Sequence, residues 1–201
     1  KTFNNILNKF NLRNRAVLDI GCSYGEFLTH FGPQSLGFTI SPEEAKTGKE
    51  MGLNILLSNI EQEEISQNLI GKFDVIFANN IFEHMQSPND FLLKIKSYLK
   101  PEGLLILGVP VLPRFKWLLH FKKFRGSLAS PHINFFTRDT LIKTVEFAGW
   151  KIEMASGFYF SSRLINSIFN QVYPHIYVCA HVDDTFIESP KRLNELKGYR
   201  P

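Results

Sequence analysis

The chain is short of cysteine, and that shortage narrows the chemistry at once. Its 201 residues include two, Cys22 and Cys179, which lie too far apart for a metal knuckle. No metal ligand is assigned from the sequence. So few thiols suit a reduced, cytoplasmic protein. No apolar run approaches the roughly 18 residues that cross a bilayer, and no secretory leader is visible. The chain opens on Lys1 rather than Met, as one trimmed upstream would. Charge is nearly balanced, at net +4; that excess is too small by itself to argue for a nucleic-acid partner. One local absence is sharper: residues 110–138 contain no acid.

What is present is an alternation of short apolar runs and amphipathic runs, the pattern of βαβ units. Hydrophobic residues make up 44 % of the chain, with 19 phenylalanines, enough for a full core. Strands are predicted over Ala16–Ile20, Ser35–Ile40, Asn54–Leu57, Phe73–Ala78 and Leu104–Val109, each apolar enough to be covered on both faces. Trp150–Ala155 and His175–Val182 are predicted as a closing strand pair. Ser41-Pro42-Glu43-Glu44 is a helix start, with Ser41 as cap, Pro42 in the first turn and Glu44 completing a capping box. Ser87-Pro88-Asn89-Asp90 opens a second helix in the same way, and Thr137 caps a third. Pro101-Glu102-Gly103 reads as a turn.

The first strand ends in Asp19-Ile20-Gly21-Cys22-Ser23-Tyr24-Gly25. Parallel sheets bind ligands at the carboxyl ends of their strands, and glycine lets backbone approach a ligand closely. A dinucleotide fingerprint needs G-x-G-x-x-G, and this turn lacks the middle and last glycines. The acid before the turn would repel a phosphate and suits a ligand that carries positive charge.

Val17 to Gly25 resembles the first motif of the class I S-adenosylmethionine-dependent methyltransferases. Phe73 to His84 is similar to that family's fourth strand and its x-x-E-H turn. Leu99 to Leu107 resembles its LKPGG hairpin and fifth strand. His132 to Thr137, with Phe147-Ala148-Gly149-Trp150, resembles the late segment of the ubiquinone-type and sugar O-methyltransferase subgroup. Together these cover residues 16 to about 155, in the family's order. The resemblance implies a Rossmann-like, doubly wound, mostly parallel seven-stranded sheet whose last strand is antiparallel. It also implies S-adenosylmethionine as cofactor. The turn Gly21, Cys22, Ser23, Tyr24 and Gly25 would face its methionine part, with Asp19 on the amino group. The ribose position falls on Thr39 and Ile40, the adenine position on Asn59 and Ile60, and Asn79 and Asn80 line the end of the fourth strand. The family usually has an acid where this chain has Thr39. Asn59 could accept from the adenine amine. As catalytic bases the candidates are His132 and His84, with His132 preferred for its place in the substrate region. Apart from the resemblance, Glu83 and His84 suit the start of a solvent-facing helix, and His132 suits a structural pin as well as a substrate role. The D/N-P-P-Y/F signature of base N-methylation is missing.

The acid-free stretch carries Arg114, Lys116, Lys122, Lys123 and Arg125 among Phe115, Trp117, Phe121 and Phe124. Trp117, Phe121 and Phe124 fall at helical spacing over Pro113–Phe124, which predicts a basic amphipathic helix with those rings buried. Three uses fit it, in this order: a substrate lid, a peripheral membrane contact through residues 113–125, and, last, a nucleic-acid surface. The expected organisation is one methyltransferase domain over 1–182, a lid-like insertion at about 110–136 and a tail over 183–201. The expected activity is methyl transfer to a small or lipid-linked acceptor at oxygen. The rivals are a non-catalytic cofactor-binding module and an RNA methyltransferase.

Overall fold

The computed structural model describes residues 2–64, 66–160, 169 and 172–187. Four short apolar runs form the parallel strands β1 (Val17–Ile20), β2 (Leu36–Thr39), β3 (Ile55–Leu57) and β4 (Phe73–Asn79). A fifth, β5 (Leu99–Pro110), lies parallel beside β4. The pair β6 (Trp150–Ser156) and β7 (His175–Val182) completes the sheet, with β7 antiparallel to both β5 and β6. The seven strands stand in the order β3-β2-β1-β4-β5-β7-β6. From β1 the chain moves outward to β3, then returns to β4 on the other side of β1. The carboxyl ends of β1 and β4 therefore flank the crevice where open sheets of this kind bind ligands.

Alternation along each strand feeds two cores, one on each face. Leu18, Ile20, Ile76, Ala78, Leu105 and Leu107 belong to one; Val17, Val75, Phe77, Leu104 and Ile106 belong to the other. Helix α1 (Thr2–Lys9) covers the second face. There Phe77 meets Phe3, Phe27 and Phe31 with ring centroids 6.1, 5.4 and 5.5 Å away. Helices α2 (Pro42–Glu50), α3 (Pro88–Ile95) and α4 (Arg138–Phe147) follow the predicted starts. Thr137 and Thr140 form a reciprocal capping box on α4. Ser87 departs from expectation, because its hydroxyl turns to Asp90 at 2.7 Å and leaves the backbone uncapped.

Two further expectations fail. Pro101-Glu102-Gly103 is no turn between elements but lies inside β5, where Leu99 pairs with Phe73 and Leu104 with Val75. The extra residues bulge outward, with Glu102 at φ 58°, which is how a strand absorbs an insertion without losing its register. The predicted helix over Pro113–Phe124 is also replaced. The chain forms short 3₁₀ turns at Lys116–His120, Lys122–Phe124 and Gly126–Leu128. Phe115 and Phe121 are extended and interrupt any longer helix. Within Lys116–His120, Leu118 alone is buried, so the rings expected inside lie outside: Trp117 is 59 % exposed and Phe121 56 %. Of the expected tail, residues 188–201 fall outside the described ones. Its first part is tied down, since Asp183 N–H donates to the Gly149 carbonyl at 3.1 Å.

Phe77 joins the sheet to α1 through this ring cluster. Phe77→Ala is expected to cost about 3–5 kcal/mol, measured by urea unfolding. A loss under about 1 kcal/mol would mean that the cluster is not packed as described.

Candidate active site

The turn after β1 is shaped by left-handed backbone. Gly21, Ser23 and Gly25 have φ of 77°, 51° and 87°. The N–H groups of Gly21 and Cys22 both donate to the Phe38 carbonyl at 2.9 Å, which folds the turn back over the end of β2. A Cβ at Gly21 would lie 3.1 Å from the Ile81 side chain, so glycine is required there for two reasons. Cys22 packs under Gly37, and burial pushes its thiol up to about 12; it is a filler, not a nucleophile. Tyr24 is partly exposed at the turn's outer side.

Asp19 carries the electrostatic character of this end. It is 1 % exposed, and its Oδ2 has no hydrogen-bond partner. Burial, and then the nearby Glu26 carboxylate, push its pKa up to about 8. A dry carboxyl group with one oxygen unpartnered, under a glycine turn, fits a ligand with an ammonium group, as S-adenosylmethionine has. Asp19 would hold that group and Gly21–Gly25 would border it.

A carboxylate nonetheless stands beside Thr39. The Thr39 hydroxyl donates to Glu44 Oε2, and Ser23 Oγ donates to Glu44 Oε1 at 3.1 Å. Glu44 stands in the first turn of α2, where Ser41 Oγ accepts its N–H at 3.3 Å. The expected capping box is therefore half formed. The Glu44 side chain does not return to Ser41 but reaches across the ends of β1 and β2. Sequence reading placed Glu44 in a cap and missed it as a site residue; its spacing from Ser41 invited that reading. A carboxylate here can take the two ribose hydroxyls that a threonine alone cannot.

The remaining cofactor candidates divide. Ile60 is buried and Ile40 is 72 % exposed. Asn59 Oδ1 accepts from Glu61 N at 3.1 Å and Asn59 N donates to Glu63 Oε1 at 3.0 Å, so the oxygen proposed for adenine is partly engaged by its own turn. Asn79 sits at the end of β4 with a buried, unpartnered Oδ1. Asn80 is left-handed at φ 55° and lies 2.8 Å from His175 Nε2. Burial pushes the His175 pKa down to about 4, so it is neutral near pH 7.

The two catalytic candidates come together around a third group. His132 Nε2 lies 3.7 Å from Glu83 Oε1, and His84 Nε2 lies 4.0 Å from the same atom. The imidazoles meet edge to face, 4.8 Å apart. Glu83 is 1 % exposed, neither of its oxygens has a hydrogen-bond partner, and burial raises its pKa. The backbone explains the meeting. Ile133 N and Asn134 N donate to the Glu83 carbonyl at 3.1 and 2.9 Å, and Asn134 Nδ2 donates to the Met85 carbonyl at 2.7 Å. His132 is thereby set against the exit of β4. One ligand atom each from Glu83, His84 and His132 lies within 4.8 Å of the others. This set could take a divalent ion, which the spacing along the chain does not disclose.

A family model described as a methyltransferase domain matches residues 2–154. The ubiquinone biosynthesis O-methyltransferase of Haemophilus ducreyi is 32 % identical over 118 residues, 53 % of this chain and 50 % of that protein. The mitochondrial enzyme of the same description from Schizosaccharomyces pombe is 30 % identical over 102 residues, 47 % of this chain and 37 % of that protein. The chain thus spans half or less of these relatives. The fold matches the crystal structure of a putative methyltransferase from Bacillus halodurans C-125 with a TM-score of 0.66 at 14 % identity, over 90 % of this chain and 98 % of that one.

The Asp19 pKa sets a stability test. Native Asp19 holds a proton that the unfolded chain releases above 3.8, so stability is lost as pH rises from 3.8 to about 8. Asp19→Asn is expected to raise the melting temperature of the ligand-free chain at about pH 8, with the gain shrinking toward about pH 4.5. Calorimetry should show the same variant losing S-adenosylmethionine binding. Glu44→Gln should weaken that binding about tenfold. Unchanged binding in both variants would remove the assignment.

Proposed function

The chain belongs to the methyltransferase domain family and is S-adenosylmethionine-dependent, and on that premise we propose that its acceptor is an oxygen of a small or lipid-linked molecule. The observation that carries this reading is the meeting of His132 and His84 around Glu83 at the exit of β4. The O-methyltransferases among the relatives support it. When bound, the cofactor supplies an electrophilic methyl group. The chain's own task is to align the acceptor, exclude water and take its proton. His132 Nδ1 lies 3.2 Å from the Ser127 carbonyl. With a proton on Nδ1 donated there, Nε2 is free to accept the acceptor's proton. The resulting imidazolium stands 3.7 Å from Glu83 Oε1, where a carboxylate stabilises it. Glu83 acts through His132 and is a positioning residue.

The same cluster favours a second reading. Glu83, His84 and His132 would hold a divalent cation that binds the acceptor oxygen and favours its ionised form. In that case the histidines are ligands and not bases.

Residues 113–125 add the partner. Trp117 and Phe121 are exposed with rings 6.1 Å apart, next to Lys116, Lys122 and Lys123. This suits peripheral contact with an anionic membrane that presents a lipid-linked acceptor, in a protein that otherwise works in the cytoplasm. The rings are exposed and not buried as expected, so burial is no argument against a nucleic-acid surface. The slight net charge and the missing base-methylation signature still disfavour a nucleic-acid substrate.

With hydroxyl and phenol acceptors, His132→Ala is expected to lower turnover by about 10²–10⁴ with cofactor affinity unchanged. Turnover at the wild-type level would sink the base role. Loss of activity on chelation, restored by a divalent ion, would establish the metal reading instead. The chain should sediment with anionic but not neutral vesicles, and changing Lys122 and Lys123 to Glu should abolish this. Turnover on RNA with a binding constant steep in salt would overturn the acceptor class.

A further inference from the structure

Where β5 ends, the chain leaves the sheet and folds across the start of α4. Val111 N donates to the Pro174 carbonyl at 2.9 Å and Leu112 N to the Phe136 carbonyl at 2.7 Å. Leu112 also bridges to Thr137. These bonds hold the start of the insertion against the first turn of α4 and Tyr173, around a cavity of about 440 Å³. That volume is in the range of small-molecule sites.

The lining combines two chemistries. Leu112, Leu119 and Tyr173 give apolar surface, while Arg114, Lys116 and Arg138 bring three cations to one cavity. The acid in the lining, Asp139, is exposed and stands 3.4 Å from Arg138 Nη1. Arg138 has a further donor, Nε, that is buried without an acceptor. The first turn of α4 borders the same space. Three cations on one lining suit an anion. The apolar part suits what the anion is attached to.

Packing links the cavity wall to the turn that carries Glu83. Thr137 follows Phe136, whose ring stacks on Phe82 with centroids 5.2 Å apart, and Phe82 precedes Glu83. We propose that this cavity binds an anionic group, a phosphate or a carboxylate, carried on the apolar body of the acceptor. Its assignment to the acceptor rests on the reading of the His132 cluster given above; the binding itself does not.

The test is calorimetric titration of the whole chain, at constant ionic strength, with octyl phosphate below its micellar concentration, inorganic phosphate and octanol. Octyl phosphate should bind saturably and at least about tenfold more tightly than either of the others. Arg138→Met should lose at least that factor and Arg114→Gln should lose part of it, with S-adenosylmethionine affinity unchanged in both. The variant with Glu at positions 122 and 123, outside the cavity, should bind octyl phosphate as the wild type does. Absence of saturable binding would overturn the proposal, as would equal binding by Arg138→Met. Equal affinity for inorganic phosphate would overturn its apolar half and leave a free-anion site. An inactive His132→Ala chain that still binds octyl phosphate would keep the two readings apart. An active wild type that does not bind it would sink the cavity alone.

Discussion

A buried carboxyl group with one oxygen left unpartnered is the constraint on which the first glycine turn depends. Asp19 is the third residue of a four-residue strand whose every position is buried. It is paired in register with Gly37 on one side and Phe77 on the other. Neither neighbour offers a side-chain donor. A leucine would pack there and stabilise the sheet, since an unsatisfied buried polar group costs about 1–3 kcal/mol. The chain keeps an acid at a strand end that faces the crevice. The surrounding apolar core, including the ring cluster on Phe77, holds that strand end in place despite the cost. Strain of this kind, localised at a ligand end and compensated by packing elsewhere, is the usual trade between stability and function.

A second dry carboxylate, Glu83, stands at the exit of β4, and its backbone has as much influence as its side chain. One carbonyl accepts the N–H groups of both Ile133 and Asn134 and is also approached by Asn134 Nδ2 at 3.3 Å. These bonds link the x-x-E-H turn to the segment just before α4. They place His132 beside Glu83 although the whole of β5 and the basic insertion lie between them in sequence. Phe136, stacked on Phe82, locks the same junction from the apolar side. The Glu83 cluster is thus assembled by three residues that hook a late segment onto an early one, and its side-chain geometry follows from that backbone join.

The sheet was legible because its strands are apolar runs separated by capped helices, and both signals are local. Strand limits differ from the predicted ones by a residue or so in β1 to β4, β6 and β7. β5 differs more, because its bulge depends on which partner residues Leu99 and Leu104 meet, and pairing is not written in one strand alone. The segment at 113–124 misled for a related reason. Helical spacing of Trp117, Phe121 and Phe124 predicts a buried face only if a surface is available to bury it. From Arg114 to Phe124 one side chain, Leu118, is buried, and with a single anchor the chain breaks into 3₁₀ turns. The grouping of Glu83 with two histidines was equally hidden, since nothing in the spacing of residues 83 and 132 says that their backbones will be joined.

Glu44 shows where a motif and its chemistry separate. The family's acid at the end of the second strand is absent, and Thr39 alone would argue for a weakened or lost cofactor site. What a ribose needs is a carboxylate at that place in space, whatever position in the sequence supplies it. The turn from β2 into α2 is short, and Ser41 caps the helix so that the first-turn side chains point back toward the sheet. Glu44 then lies within reach of Thr39 and Ser23 together. Thr39 takes on a different part, donating its hydroxyl proton to Glu44 while its oxygen accepts from Ser41 N at 3.2 Å. A threonine in that position orients the carboxylate and closes the turn. A carboxylate a few residues along the chain thus stands at the same strand ends. For this reason the departure from the family pattern is poor support for a non-catalytic module.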